Sequence, residues 1–255
     1  MREILIVGIG SGNPDHMTVQ AIAALNRADV LFIPDKGAAK ADLADVRRTI
    51  CARFVTNPAS RSVDFAVPRR NAAADSYLGG VDAWHGALST LYEDLFLAEL
   101  AEDGVGALLV WGDPMLYDST IRIIERVRAA GRVALDFSVI PGITSLQALC
   151  ASHRIPLNLV GKPVEITTGR RVAQTFPASS ESSVVMLDGE QAFAAIDDPD
   201  AIIYWGAYLG TADEIVISGN LLEKRDEILA ARAEARARHG WIMDIYLLRK
   251  GADFD

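Results

Sequence analysis

The stretch Glu3-Ile4-Leu5-Ile6-Val7-Gly8-Ile9-Gly10-Ser11-Gly12-Asn13-Pro14 decides the fold class. Residues 3–9 form a short, mostly apolar run, as expected of a strand buried on both faces. The run leads directly into a glycine-rich loop. Residues 18–27 then show helical spacing, with Val19, Ile22, Ala23 and Leu25 apolar and Thr18 placed to cap the start. Residues 30–33 read as a second strand, stopped by Pro34 and followed by polar Asp35-Lys36-Gly37. Strand, glycine loop, helix, strand is the opening of an α/β layer built on a largely parallel sheet.

The pattern continues outward. Residues 42–54 read as a helix. Residues 61–67 alternate with period two through Val63, Phe65 and Val67. Residues 71–100 are helix-rich, with Gly79-Gly80 expected to split them, and Trp84, Leu88, Leu91, Leu95 and Phe96 recur at helical spacing. A strand at 107–111 runs into Gly112-Asp113-Pro114. A helix at 119–130 and a strand at 133–140 follow, and Pro141-Gly142 is expected to open a helix through Leu149.

Beyond residue 150 the character changes. Five strand candidates (164–168, 183–187, 201–205, 214–218 and 241–248) are separated mostly by short helical pieces, plus a longer helix at 221–239. That predicts a second α/β domain with a mixed or antiparallel sheet. The linker is expected within 154–162, giving domains 1–155 and 156–255.

Composition sets outer limits. The chain has 255 residues, is 50% hydrophobic and carries a formal net charge of -9. It is long enough to bury a core without staples. No block of Lys or Arg is present, which argues against a general nucleic-acid binder, whose affinity rests on neutralising phosphates. The apolar runs are about strand length, short of a membrane span. The start lacks the features of a signal peptide, so a cytoplasmic location is expected. Cys51 and Cys150 sit in apolar contexts and read as buried thiols. His16, His153 and His239 give no metal-ligand spacing, so no metal is expected. No Ser-His-Asp arrangement stands out.

The chemistry concentrates in three loops, each following a strand. The first mimics a dinucleotide site: Gly8 and Gly10 fit G-x-G-x-x-G, but Asn13 takes the third position and Pro14 follows. Asp29 also lies ahead of the second strand rather than at its end. In the second loop, Gly112 allows close approach, Pro114 fixes the turn, and Asp113 can bind backbone amides or a ligand amine. The third, Ile140-Pro141-Gly142-Ile143-Thr144-Ser145, offers Thr144 or Ser145 as a helix cap or ligand hydroxyl. On parallel strands, three such loops converge on the sheet edge where open α/β sheets bind ligands.

Taken in order, these loops resemble the tetrapyrrole methylases. The carrying residues are Gly8-Ile9-Gly10-Ser11-Gly12-Asn13-Pro14, Met17-Thr18 and Ala28-Asp29-Val30, then Gly112-Asp113-Pro114 with Tyr117, then Pro141-Gly142-Ile143-Thr144-Ser145 with Ile155-Pro156-Leu157. The corrin branch is indicated by Phe32-Ile33-Pro34-Asp35-Lys36-Gly37, the insert at 77–100, and Tyr204-Trp205-Gly206-Ala207-Tyr208-Leu209-Gly210. Trp111 departs from the family pattern, which has a second glycine there.

The resemblance implies two α/β domains with S-adenosylmethionine in a cleft between them, and a homodimer. It implies cofactor contacts at Gly10, Pro14, Gly112, Asp113, Leu116, Thr144 and Ser145, with Met186, Leu187, Gly206 and Ala207 in the second domain. The implied reaction is C-methylation of precorrin-5 at C-1 with release of acetate. Rival readings are another corrin-pathway methylase, such as one acting at C-20 of precorrin-2, diphthine synthase, or a non-catalytic nucleotide-binding module. Acetate release needs a group to manage a proton, for which Asp35 and Tyr117 are the candidates. A many-carboxylate substrate favours arginine forks, here Arg69, Arg70, Arg122, Arg170 and Arg171.

Overall fold

The computed structural model describes residues 1–35, 41–68, 77–176 and 180–250. They form two compact units, Met1–Thr144 and Ser145–Asp255.

In the first unit, among the described residues, five strands are hydrogen-bonded in the order β3-β2-β4-β1-β5 and all run parallel. They are β1 (Arg2–Gly8), β2 (Val30–Asp35), β3 (Arg61–Ala66), β4 (Val105–Val110) and β5 (Leu135–Ile140). Strand side chains alternate between faces. Ile4, Ile6, Phe32, Leu108 and Val110 therefore join α3 (Tyr77–Glu99) and α4 (Thr120–Ala130) on one side. Leu5, Val7, Leu31, Ile33, Ala107 and Leu109 join α1 (Val19–Arg27) and α2 (Ala41–Phe54) on the other. Helices on both faces explain why β1 reads as an uninterrupted apolar run.

Local signals place the helix starts. Thr18 caps α1 by accepting the Ala21 N–H at 3.0 Å. Two boundaries differ from the sequence expectation. Pro34 does not stop β2, which pairs with β3 as far as Asp35↔Ala66. Pairing with β4 has already ended at Phe32↔Leu108, so the missing proline N–H costs no ladder bond on that side. Gly79-Gly80 does not split α3. Leu88, Tyr92 and Phe96 give the helix a buried seam, and the Trp84 indole N–H donates to the Pro68 carbonyl at 2.8 Å. Packing of an apolar face outweighs local propensity.

The second unit has a mixed sheet, ordered β6-β7-β10-β8-β9 among the described residues. The strands are β6 (Val164–Thr168), β7 (Ser182–Met186), β8 (Ala201–Ala207), β9 (Ile215–Asn220) and β10 (Asp244–Lys250). Only β6 and β7 pair in parallel; β10 is antiparallel to β7 and β8, and β8 to β9. Residues of α6 (Gly169–Thr175) and α7 (Leu221–His239) pack on one face with Val185, Ile203, Trp205 and Tyr246. Residues Leu146, Ala148 and Leu149 of α5 (Ser145–His153) pack on the other with Val184, Tyr204, Ile245 and Leu247. Because α5 buries its apolar residues there, the units divide at 144/145 rather than at the expected 155/156. The punctuated segment after α5 is instead tied into the second unit: Arg249 of β10, fully buried, donates to the carbonyl of Pro156 at 2.6 Å.

Both cysteines are free thiols; Cys51 is buried and Cys150 part-buried. Burial pushes the Cys51 thiol up to about 11, so it is a packing residue near neutral pH. Among the described residues, no helix is long and apolar enough to cross a membrane.

Candidate functional site

β4, β1 and β5 lie side by side and parallel, so the loops that follow them emerge at one edge of the first sheet. They interlock through backbone. The Gly112 N–H donates to the Gly10 carbonyl at 2.8 Å, and the Gly10 N–H returns to Gly112 at 3.3 Å. A Cβ on Gly8 would lie 2.6 Å from the Gly142 nitrogen and 2.8 Å from the Gly112 oxygen. A Cβ on Gly142 would overlap the Gly112 carbonyl outright. Glycine is required here by contact with backbone. At Gly10 and Gly112 it also serves the left-handed conformation, with φ of 80° and 68°.

Asp113 fixes the arrangement. It is 8% exposed, and its carboxylate accepts the Gly142 N–H at 2.8 Å and the Met115 N–H at 2.7 Å. Its carbonyl accepts the Leu116 N–H at 3.2 Å. Of the two roles open to Asp113 in the sequence, the structure gives it backbone amides. The same bond explains why Pro141-Gly142 does not open α5. The Gly142 N–H is committed to the loop, and the helix begins at Ser145.

The first loop does not have dinucleotide geometry. Asn13 accepts the Asp15 N–H at 2.9 Å and caps a 3-10 turn, Pro14–His16. The α-helix starts only at Val19. Asp29, in the place of a ribose-binding acid, accepts the Val105 N–H at 2.8 Å at the opposite end of the sheet.

Around this core the remaining candidates spread out. Met115 and Tyr117 project from the second loop, 73% and 46% exposed, and Tyr117 sits at φ 51°. Asp35 ends β2 and is exposed, as is Arg122 in the first turn of α4. Arg69 and Arg70 lie outside the described residues.

In the second unit, Met186 ends β7 and Leu187 follows at φ 55°, 67% exposed. Leu187 and Arg170 of α6 line one pocket of about 650 Å³; Arg171 is exposed beside Arg170. Gly206 and Ala207 close β8, on the far side of β10 from β7, and the Ala207 side chain is fully buried. A contact there falls to backbone.

Three further residues of structural note are not among the site candidates that the sequence offers. Arg47 of α2 is buried and donates Nε to the Leu109 carbonyl at 3.0 Å, where β2 has left β4. Burial pulls its guanidinium down to about 10, against an opposing pull from Asp118. The Trp111 indole N–H is buried without a hydrogen-bond partner. Asp188 is buried directly after Leu187. Only Asp188 has a hint in the sequence, the turn signal Asp188-Gly189. Among the described residues, no cluster of His, Cys, Asp or Glu could hold a metal ion.

Comparison with known proteins bears on the whole chain. Residues 3–224 match the family model described as Tetrapyrrole (Corrin/Porphyrin) Methylases. A Sinorhizobium sp protein named precorrin-6A synthase [deacetylating] is 71% identical, over 100% of this chain and 98% of that one. A precorrin-2 C(20)-methyltransferase from Sinorhizobium sp is 28% identical, over 87% and 89%. Among solved structures, a cobalamin synthesis related protein (CobF) from Corynebacterium diphtheriae superposes with a TM-score of 0.86. It is 36% identical and covers 99% of this chain and 100% of that one.

Proposed function

The chain belongs to the tetrapyrrole methylases, and from that premise we propose that it is an S-adenosylmethionine-dependent C-methyltransferase of corrin biosynthesis. Its reaction is methylation of precorrin-5 at C-1 with release of acetate. The 71% identity over the full chain carries this assignment against the C-20 branch, whose relative stands at 28%. Diphthine synthase is a likeness of fold alone, at 15% identity.

The first-unit glycine loops suit the methyl donor. They bring bare backbone amides and carbonyls to a sheet edge, and a Cβ on Gly112 would meet only the Thr144 Cα, at 3.8 Å, so the space above that glycine is open. We assign donor contacts to Gly10, Pro14, Gly112, Asp113, Leu116, Thr144 and Ser145, and to the backbone near Met186, Leu187, Gly206 and Ala207. When bound, S-adenosylmethionine supplies a methyl group already activated by its sulfonium. The chain's task is to hold that group in line with C-1 and to exclude water. Asp113 serves by fixing two loops at once, so the donor meets a preformed surface. Arg122, Arg170 and Arg171 are assigned to substrate carboxylates.

Acetate release adds water across the carbon–carbon bond that joins the acetyl carbonyl to the macrocycle: the hydroxyl goes to the acyl carbon, the bonding pair stays with the macrocycle, and a chain group must take and return a proton. Asp35 and Tyr117, both at the C-terminal edge of the first sheet, are the assigned candidates. Asp35→Asn and Tyr117→Phe are each expected to leave binding of S-adenosylhomocysteine unchanged. The one that handles the proton loses about 100-fold or more in acetate release. If both variants release acetate at the parental rate, the proton is handled elsewhere.

The decisive assay supplies methyl-labelled S-adenosylmethionine and precorrin-5, then follows product mass and acetate. One added methyl and one acetate per turnover is the expected result. A methyl gained without acetate overturns the deacetylating assignment and keeps the family. A homodimer and a cytoplasmic location are part of the same proposal; a monomer mass by light scattering removes the first.

A further inference from the structure

We propose that Asp188 is a positioning residue, whose buried carboxylate holds residues 187–191 in the shape that receives the methyl donor at the end of β7. This rests on the reading that Met186 and Leu187 contact that donor.

The turn is in an unusual conformation. Leu187 and Gln191 both have left-handed backbone, at φ 55° and 60°, and neither is glycine. Residues with a Cβ rarely adopt that region, and such residues cluster where surrounding structure over-determines them. Leu187 is also 67% exposed, so no packing of its own side chain holds it. The turn forms one wall of the pocket that also includes Gly169 and Arg170 of α6.

Asp188 supplies the constraint. It is 6% exposed. One carboxylate oxygen accepts both the Tyr246 hydroxyl of β10 and the Ala192 N–H, each at 2.7 Å. Its carbonyl accepts a guanidinium N–H of Arg232, on α7, at 3.1 Å. Gly169, opening α6, leaves room for the carboxylate; a Cβ there would overlap it. The side chain thus ties the start of the turn to its end at Ala192 and to β10, while Arg232 of α7 holds the main-chain carbonyl of the same residue. A buried carboxylate is tolerated when its oxygens are hydrogen-bonded. The Tyr246 hydroxyl is pushed well up, first by burial and then by Asp188, so it stays protonated and donating.

Titration with S-adenosylhomocysteine and steady-state kinetics test the assignment. In Asp188→Asn the amide oxygen can still reach both donors, but the hydrogen bonds lose the charge of the carboxylate, and an NH2 takes the Oδ1 position beside Gly169. We expect the dissociation constant, and KM for S-adenosylmethionine, to rise about 10-fold or more, with kcat at saturation nearly unchanged, as loss of uniform binding requires. Tyr246→Phe keeps the carboxylate and removes one donor; a rise of about threefold is expected, near the worth of one hydrogen bond at the low end. It covers the case in which Asp188→Asn does not fold. Leu187→Val probes the loop itself, because β-branched residues resist positive φ. Weaker binding in Leu187→Val, with Asp188→Asn and Tyr246→Phe unaffected, overturns the role of Asp188 and keeps the donor at this loop. Unchanged binding in all three overturns both. A fall in kcat with KM unchanged in Asp188→Asn also overturns it.

Discussion

Gly142→Ala is expected to lower methyl transfer on the order of 100-fold and to destabilise the first unit. The new Cβ would overlap the Gly112 carbonyl and lie 2.8 Å from the carbonyl carbon of Gly8. Both neighbours are backbone, so no side chain can rotate away. The loops must part, and parting breaks the Gly142 N–H bond to Asp113 and strains the pairing of Gly10 with Gly112. Overpacking of this kind costs about 3 kcal/mol, the upper end of the usual range, because the contact is rigid. A loop displaced by ~1 Å costs on the order of 100-fold in rate. The checks are the urea midpoint and the dissociation constant of S-adenosylhomocysteine. Gly86→Ala is the control: nothing lies within 4 Å of its Cβ, and it sits inside α3. That change is expected to stabilise by up to about 1 kcal/mol. Gly142→Ala with parental binding and midpoint would show that the three loops can separate freely, and the preformed surface would have to be abandoned.

The second large effect lies in the core of the second unit. Arg232 of α7 and Asp244 of β10 form an ion pair at 2.8 Å, with side chains 6% and 8% exposed. The same Asp244 oxygen accepts the Trp205 indole N–H at 3.1 Å, and Arg232 also reaches the Asp188 carbonyl. Arg232→Met leaves a buried carboxylate with one neutral donor and removes a donor from Asp188. A stability loss of about 3–5 kcal/mol is expected, as for other buried pairs broken on one side. Adding Asp244→Asn should return part of it, because the orphaned charge is gone and residues in contact are not additive. The measurement is the urea midpoint by tryptophan fluorescence, with an unchanged denaturant slope. A double variant as unstable as the sum of the singles would mean that the two side chains act independently.

These two cases differ in how far the sequence foresaw them. Gly8, Gly10, Gly112, Asp113 and Gly142 are legible because their chemistry is local: a glycine, proline or aspartate after an apolar run announces a turn. Their order in the chain also identifies the family. Boundaries were legible to within a few residues, and α7 matches its expected range, since Asn220 caps it by accepting the Leu222 N–H and Gly240 ends it at φ 74°. The misses share one cause. Pro34 stays in β2 because β4 has turned away, Gly79-Gly80 stays helical because of a seam further along α3, and α5 sides with the second unit through Leu146 and Leu149. In each, a contact distant in sequence outweighs a local preference.

The sequence by itself determined the alternation of strands and helices, the three loops and the family. Periodicity, turn chemistry and motif order are properties of neighbours along the chain. The tertiary structure alone decided what those groups do in space. It made Asp113 a clamp on Met115 and Gly142, joined Arg47 to the Leu109 carbonyl, and joined Asp188 to Tyr246. Burial and hydrogen-bond partners arise where strands far apart in sequence become adjacent, and no local pattern encodes which amide a carboxylate will meet.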